Sequence, residues 1–178
     1  NFDRRHRVTA SFNYLLPYKG KGALGVIAGG WQTNGIVALQ SGGPLNISNG
    51  VDISRSGIGQ DRVDISGDPK MESGRPKGEQ ILRWFNTGAF KEPAPGTFGT
   101  LGRNTERGPG LATVDFSTFK NFVMPWSEAH KLEFRAEFFN FFNRTNFGQP
   151  GSVLGTPNFG LIAGGGPARV SQMSLKLV

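Results

Sequence analysis

Glu133 and Glu137 are the residues here that could be offered as a catalytic carboxylate pair, one acid and one base across a glycosidic bond. Glycosidases hold such carboxyls roughly 5–9.5 Å apart. On one face of a strand, at ~3.3 Å per residue, two glutamates four positions apart stand about 13 Å from each other. With Lys131 and Arg135 interleaved they read as a salt-bridged ladder. Gly20-Lys21-Gly22-Ala23-Leu24-Gly25 is a literal G-x-G-x-x-G after a strand-like stretch. A dinucleotide site needs a helix opening there and an acidic residue about 20 positions on. Val26 to Gly30 read as a flexible turn, and no Asp or Glu lies near 40–45. His6 and His130 stand singly, without a second ligand at metal spacing. No serine sits in a nucleophile elbow, and Asn46-Ile47-Ser48 and Asn143-Arg144-Thr145 are sequon matches of a kind common by chance. The expectation is no catalytic residue, no cofactor and no metal site: not an enzyme.

What positions the ladder is a strand. From Lys131 to Phe138 charged and apolar residues alternate without a break. Period-2 alternation puts Leu132, Phe134, Ala136 and Phe138 on one face and Lys131, Glu133, Arg135 and Glu137 on the other. In a helix the charges would form two opposed stripes and leave no single face to bury. A soluble sheet can have one greasy and one charged face, and so can a transmembrane barrel, apolar outside and polar inside.

The 178 residues suffice for a domain with a core, yet 37% are hydrophobic, with 27 Gly and 11 Pro. No apolar run approaches the ~18 residues of a membrane helix, whereas barrel strands need only about 9–11 alternating residues. The chain has no Cys, which rules out disulfides and thiolate metal sites. Its net charge of +7 is dispersed, with Arg4, Arg5 and Arg7 the tight cluster, so nucleic acid is not an expected partner. Asn1-Phe2-Asp3-Arg4 carries neither an initiator Met nor a signal pattern, and we read the chain as a fragment whose beginning is missing.

The alternation predicts strands at about 4–16, 31–40, 112–124, 130–142 and 168–178. In the second, Ile36 falls on the polar side; in the third, Lys120 falls on the apolar side and Phe119 on the polar one, which suggests a bulge. Gly and Pro concentrate between these segments, Gly35 excepted, as strands require. The connections run medium (17–30), very long (41–111), very short (125–129) and long (143–167). Long loops at one end and short turns at the other is the layout of a transmembrane barrel; a structureless loop as long as 41–111 is out of place in a soluble domain. Phe138, Phe139, Phe141, Phe142 and Phe147 crowd one end of the fourth strand, and Trp31 and Trp126 lie beside the short turns. Aromatic belts of this kind mark membrane interfaces, although a β-sandwich core would use the same residues.

Several blocks carry a family resemblance. They are Phe2-Asp3-Arg4-Arg5-His6-Arg7, Gly30-Trp31-Gln32-Thr33-Asn34-Gly35-Ile36, Trp84-Phe85-Asn86-Thr87-Gly88-Ala89-Phe90 and Gly99-Thr100-Leu101-Gly102-Arg103-Asn104. Arg107-Gly108-Pro109-Gly110, Asp115-Phe116-Ser117 and, above all, the stretch from Phe134 to Phe147 follow in the same order. Together they resemble the C-terminal end of TonB-dependent outer-membrane receptors, in particular the large Oar-like, carboxypeptidase-regulatory-domain type abundant in acidobacteria. Such barrels commonly end in an aromatic, whereas this chain ends at Val178, and a terminal Phe on the lipid face would continue the alternation.

The resemblance implies an all-β, antiparallel, up-and-down transmembrane β-barrel fragment: about five long strands of a barrel of about 22, with long extracellular loops. It implies energised uptake, across the bacterial outer membrane, of a scarce or large substrate such as a siderophore, oligosaccharide or peptide. Lys131, Glu133, Arg135 and Glu137 would face the lumen and plug. Trp84, Phe85, Phe90 and Arg103, in the loop 41–111, would help form the extracellular mouth. The partners implied are outer-membrane lipid, the receptor's own plug domain and, through an N-terminal part, the TonB complex; neither of those segments is in this chain. The alternatives are a soluble β-sandwich that binds carbohydrate or protein, and a plug-less outer-membrane adhesion or secretion scaffold.

Overall fold

A computed structural model describes residues 3–18, 20–124 and 126–178. Its strands, in chain order, are β1 (Arg7–Leu15), β2 (Gln32–Gln40), β3 (Pro44–Leu45), β4 (Asp64–Ile65), β5 (Phe90–Lys91), β6 (Glu106–Arg107), β7 (Leu111–Met124), β8 (Ser127–Phe139) and β9 (Val170–Leu177). Two short helices, α1 (Gly22–Ala28) and α2 (Lys77–Leu82), and a 3-10 turn at Thr87–Ala89 lie between them. The chain divides into two compact units.

The sheet unit takes Arg7–Gln40, Ala112–Thr145 and Pro167–Val178. Its five strands run in the order β1-β2-β7-β8-β9. β1 pairs antiparallel with β2, β7 with β8, and β8 with β9. Directly paired residues share a face, so the register fixes what each side carries. Glu133 stands opposite Asn121 and Lys176, Arg135 opposite Phe119 and Ser174, and Glu137 opposite Ser117 and Gln172. On the other face Leu132, Phe134 and Ala136 meet Leu177, Leu175 and Met173. The Asn34 side chain donates to Ser117 Oγ (3.4 Å), which puts the polar faces of β2 and β7 on one side; Ile36 lies on that polar face.

Three expectations are corrected in this unit. The register from Phe116↔Phe138 to Val123↔Lys131 is unbroken, and the irregularity falls between Val123 and Met124. Lys120 therefore does occupy the apolar face and Phe119 the polar one, and each has a partner there. Secondly, β8 stops at Phe139, short of 142. Asn140 adopts the left-handed conformation (φ 52°), which asparagine tolerates better than most residues. Its N–H donates to Asp115, its amide to the carbonyls of Arg144 and Pro167, and its Oδ1 accepts from Arg144 N–H. Those bonds turn the chain out of β8, and Phe141 N–H still donates to the Val114 carbonyl (2.7 Å). Thirdly, the G-x-G-x-x-G stretch does open a helix, α1, with N-cap Lys21 and no side-chain cap. At seven residues, with no acidic residue near 40–45, it still offers nothing to hold a dinucleotide.

The loop unit takes the described residues up to His6, Ser41–Leu111 and Asn146–Gly166. The stretch 41–111, expected to be irregular, builds a core of its own. Leu45, Ile47, Val63, Phe85, Ala89, Phe90 and Leu101 are buried together, with Trp84, Leu154 and Phe159 packed against them. Phe85, Phe90 and Phe159 meet edge to face at 5.1–5.9 Å between ring centroids. Two-residue ladders, β3 with β6 and β4 with β5, are too short to show alternation in the sequence. The resemblance blocks are the parts that close this core. Asn86 caps the 3-10 turn by accepting from Gly88 N–H, and Trp84 Nε1 donates to the Arg107 carbonyl. Thr100 Oγ1 accepts from Ile65 N–H while its own N–H donates to Asp64. Only glycine fits at 99, because a Cβ there would lie 2.1 Å from the Arg62 carbonyl oxygen.

Candidate functional site

Two surfaces carry polar groups in a pattern beyond ordinary solvation. The first is the charged face of β8. Arg135 reaches along its own strand to Glu133 (3.1 Å) and Glu137 (3.8 Å), and its guanidinium lies 5.6 Å from the Phe119 ring. The ladder expected from the sequence is therefore formed for these three residues. Lys131 lies further along the same face, its backbone paired with Val178. Half-exposed ion pairs of this sort contribute about 0–1 kcal/mol each, so the ladder does little for stability. It presents a hydrated surface of alternating charge, with Ser117, Asn121, Gln172, Ser174 and Lys176 beside it.

The second surface is a cleft of about 440 Å³ in the loop unit, with Arg5, Lys70, Trp84, Phe85, Glu106 and Arg107 among its lining. Arg107 is tied down on one side: it donates to the Gly42 carbonyl (3.2 Å) and pairs with Asp3. That hydrogen bond holds the Asp3 carboxyl below its ordinary range. Arg107 Nε is buried without a partner. Burial pushes the Glu106 carboxyl up; Lys70 pulls it down and Asp68 pushes it up again. Arg5 and Lys70, with Arg107 already paired to Asp3 and the Trp84 ring beside them, suit a polar guest with an apolar body.

The residues expected at an external mouth are separated by the structure. Trp84 and Phe85 line this cleft. Phe90 is buried in the same core as Phe85 (5% and 3% exposed) and, unlike Phe85, is not among the residues lining the cleft. Arg103 is exposed in a turn and is not among the residues lining the cleft. Burial separates them: aromatic residues in a long loop look alike in sequence whether they fill a core or face water. Lys70 and Glu106, central to the cleft, carried no sequence signal, and Arg107 was marked only by its block Arg107-Gly108-Pro109-Gly110. Among the described residues no group of three or more His, Cys, Asp or Glu could hold a metal ion.

The apolar face of the sheet is open. Val8, Phe12, Tyr14, Met173, Leu175 and Leu177 are all exposed on it. A sheet with one hydrated, charged face and one uncovered apolar face belongs to a protein that works between water and an apolar phase. The chain belongs to the outer membrane beta barrel domain family, whose model matches residues 1–172. It is an all-β, antiparallel protein of the outer membrane. Among the described residues no helix is long and apolar enough to cross a membrane, which leaves crossing by strands untouched. Comparison with curated proteins and with solved structures returned no match.

Proposed function

We propose that this chain is part of a TonB-dependent outer-membrane transporter, which takes up a scarce or large substrate such as a siderophore, oligosaccharide or peptide. The observation that carries the reading is the two-faced β8: Glu133, Arg135 and Glu137 bridged on one side, Leu132, Phe134 and Phe138 on the other. In the bilayer every backbone polar group must be paired within the protein. β1 and β9 each pair with one neighbour in this sheet, so further strands must close the ring, and barrels of this transporter class have about 22.

In this reading the apolar face meets lipid, and Lys131, Glu133, Arg135 and Glu137 face the lumen and a plug domain that couples to the TonB complex. The cleft of the loop unit makes first contact with substrate. The wall is passive and needs no catalytic residue, metal or cofactor of its own. The resemblance of its sequence blocks to the C-terminal end of such receptors supports the transporter role over a static scaffold.

The test is uptake by cells carrying the intact receptor. Accumulation of labelled substrate should require both TonB and the proton-motive force, and Arg135→Glu should reduce it or loosen the plug. Uptake that persists without TonB would make the barrel a passive channel. Full transport by the Arg135→Glu receptor would count against a luminal role for the ladder.

A further inference from the structure

Lys120 is the one cation on the apolar face of β7, and it is 5% exposed. It stands opposite Phe134, with Phe122 two positions along the same face. A lysine so placed on a surface meant for lipid needs its charge satisfied locally. Its ammonium donates to the carbonyl oxygens of Val26, Ile27 (3.1 Å) and Gly29, at the end of α1. Helix ends leave carbonyls without intrahelical partners, and a cation is favoured there. The Trp31 indole donates to the same Ile27 oxygen (2.8 Å) and packs edge-on against Phe134 at 5.9 Å. The ammonium also lies 4.9 Å from the Phe122 ring and 5.8 Å from that of Trp31, within cation–π reach. The end of α1 is thus folded back onto the apolar face and fastened there.

The rest of α1 has nothing to cover it. Leu24, Val26 and Ile27 are 71%, 62% and 62% exposed, and no residue of the helix is buried. A helix that is apolar all round belongs in a core or in a membrane. α1 has no core, and the sheet face to which Lys120 fastens it also carries exposed apolar residues, among them Tyr14 on β1 and Leu175 and Leu177 on β9. Two lysines, Lys19 and Lys21, precede it in the sequence, and Lys21 is exposed at its N-cap.

We propose that α1 is a membrane-seated collar. Leu24, Val26 and Ile27 insert among phospholipid acyl chains at the short-turn end of the wall, and Lys120 pins the helix to the strand. Lys120 is thereby a positioning residue for a lipid contact, with its charge removed from the hydrocarbon by three carbonyls and two rings. The inference rests on the lipid-facing assignment of the apolar face made above.

The experiment uses the intact receptor in phospholipid nanodiscs, with any cysteine outside this Cys-free chain replaced. Bimane is attached singly at Leu24→Cys, Ile27→Cys and, as the reference on the sheet, Met173→Cys. Quenching by nitroxide-labelled acyl chains is compared with quenching by aqueous iodide. The proposal expects labels at 24 and 27 to be quenched several-fold more by the acyl-chain nitroxide than by iodide, as at 173. Iodide-dominated quenching at 24 and 27, with 173 still lipid-quenched, would overturn the collar and leave the wall intact. Protection from both quenchers would mean that protein covers α1, which also overturns it. An aqueous response at 173 as well would sink the wall assignment together with the collar. In Lys120→Met receptors that keep their heat-modifiable gel mobility, bimane anisotropy at 24 and 27 should fall; unchanged anisotropy would remove Lys120 from the account.

Discussion

The loop unit buries Leu45, Ile47, Val63, Phe85, Ala89, Phe90, Leu101 and Ile162, whereas in the sheet unit Ala136 is the only buried hydrophobic residue among those described. The sheet is the more regular structure by far, with strands of up to 14 residues against two-residue ladders in the loop unit. Regularity and self-sufficiency are thus divided between the two. The loop unit closes a hydrophobic core of its own and carries a shaped cleft. The sheet unit pairs its inner strands but leaves its apolar side chains outward, so the free energy that would come from burying them has to come from another phase.

Removing a core ring is the severest way to break the comparison. Phe85→Ala, at a site 3% exposed, should cost the loop unit about 3–5 kcal/mol. Limited proteolysis of the intact protein in vesicles should then cut within 41–111 while β8 stays protected; equal loss of both would show that the units are not separately stabilised. Next comes an exposed position that ought not to behave as one. Met173 is 68% exposed, so in water Met173→Arg would be harmless. Facing lipid near the bilayer midplane it should cost about 2–4 kcal/mol, read as reduced folding into vesicles, with Ser174→Arg nearly silent.

The ladder should matter less. Arg135→Met removes two half-exposed ion pairs and should change folding stability by about 0–2 kcal/mol, while under the proposed luminal role transport falls further than stability does. The smallest effect concerns Glu106. Its carboxyl is raised above the ordinary value of 4.5, so its contribution is fully present below that value and is lost as pH rises through the folded-state value. Thermal melts of the loop unit across this range should show that loss, and Glu106→Gln should flatten it.

The strands of the sheet unit were legible because one face had to differ from the other along their length. Lys131 to Phe138 spells out its register in residue types. The end of β8 was less legible, since Phe141 and Phe142 prolong an apolar pattern that Asn140 interrupts only through its left-handed turn. Lys120 broke the alternation and invited a bulge. Its reason lies in α1, remote in sequence, whose carbonyls accept its protons. The loop unit was the least legible: Phe85, Phe90 and Phe159 converge from distant segments without periodicity. The same lack of pattern hid the cleft, where Arg5, Lys70 and Arg107 come from three separate stretches.

The central claim is that one face of β8 meets lipid and the other meets water. Spin labels placed singly at 131 to 138 in the intact protein, reconstituted in bilayers, test it through collision with oxygen, enriched in lipid, and with a water-soluble nickel complex. The account predicts a period of two, with oxygen maxima at Leu132, Phe134 and Phe138 and nickel maxima at Lys131, Glu133, Arg135 and Glu137. A profile without that period, or with the two sets exchanged, would contradict it.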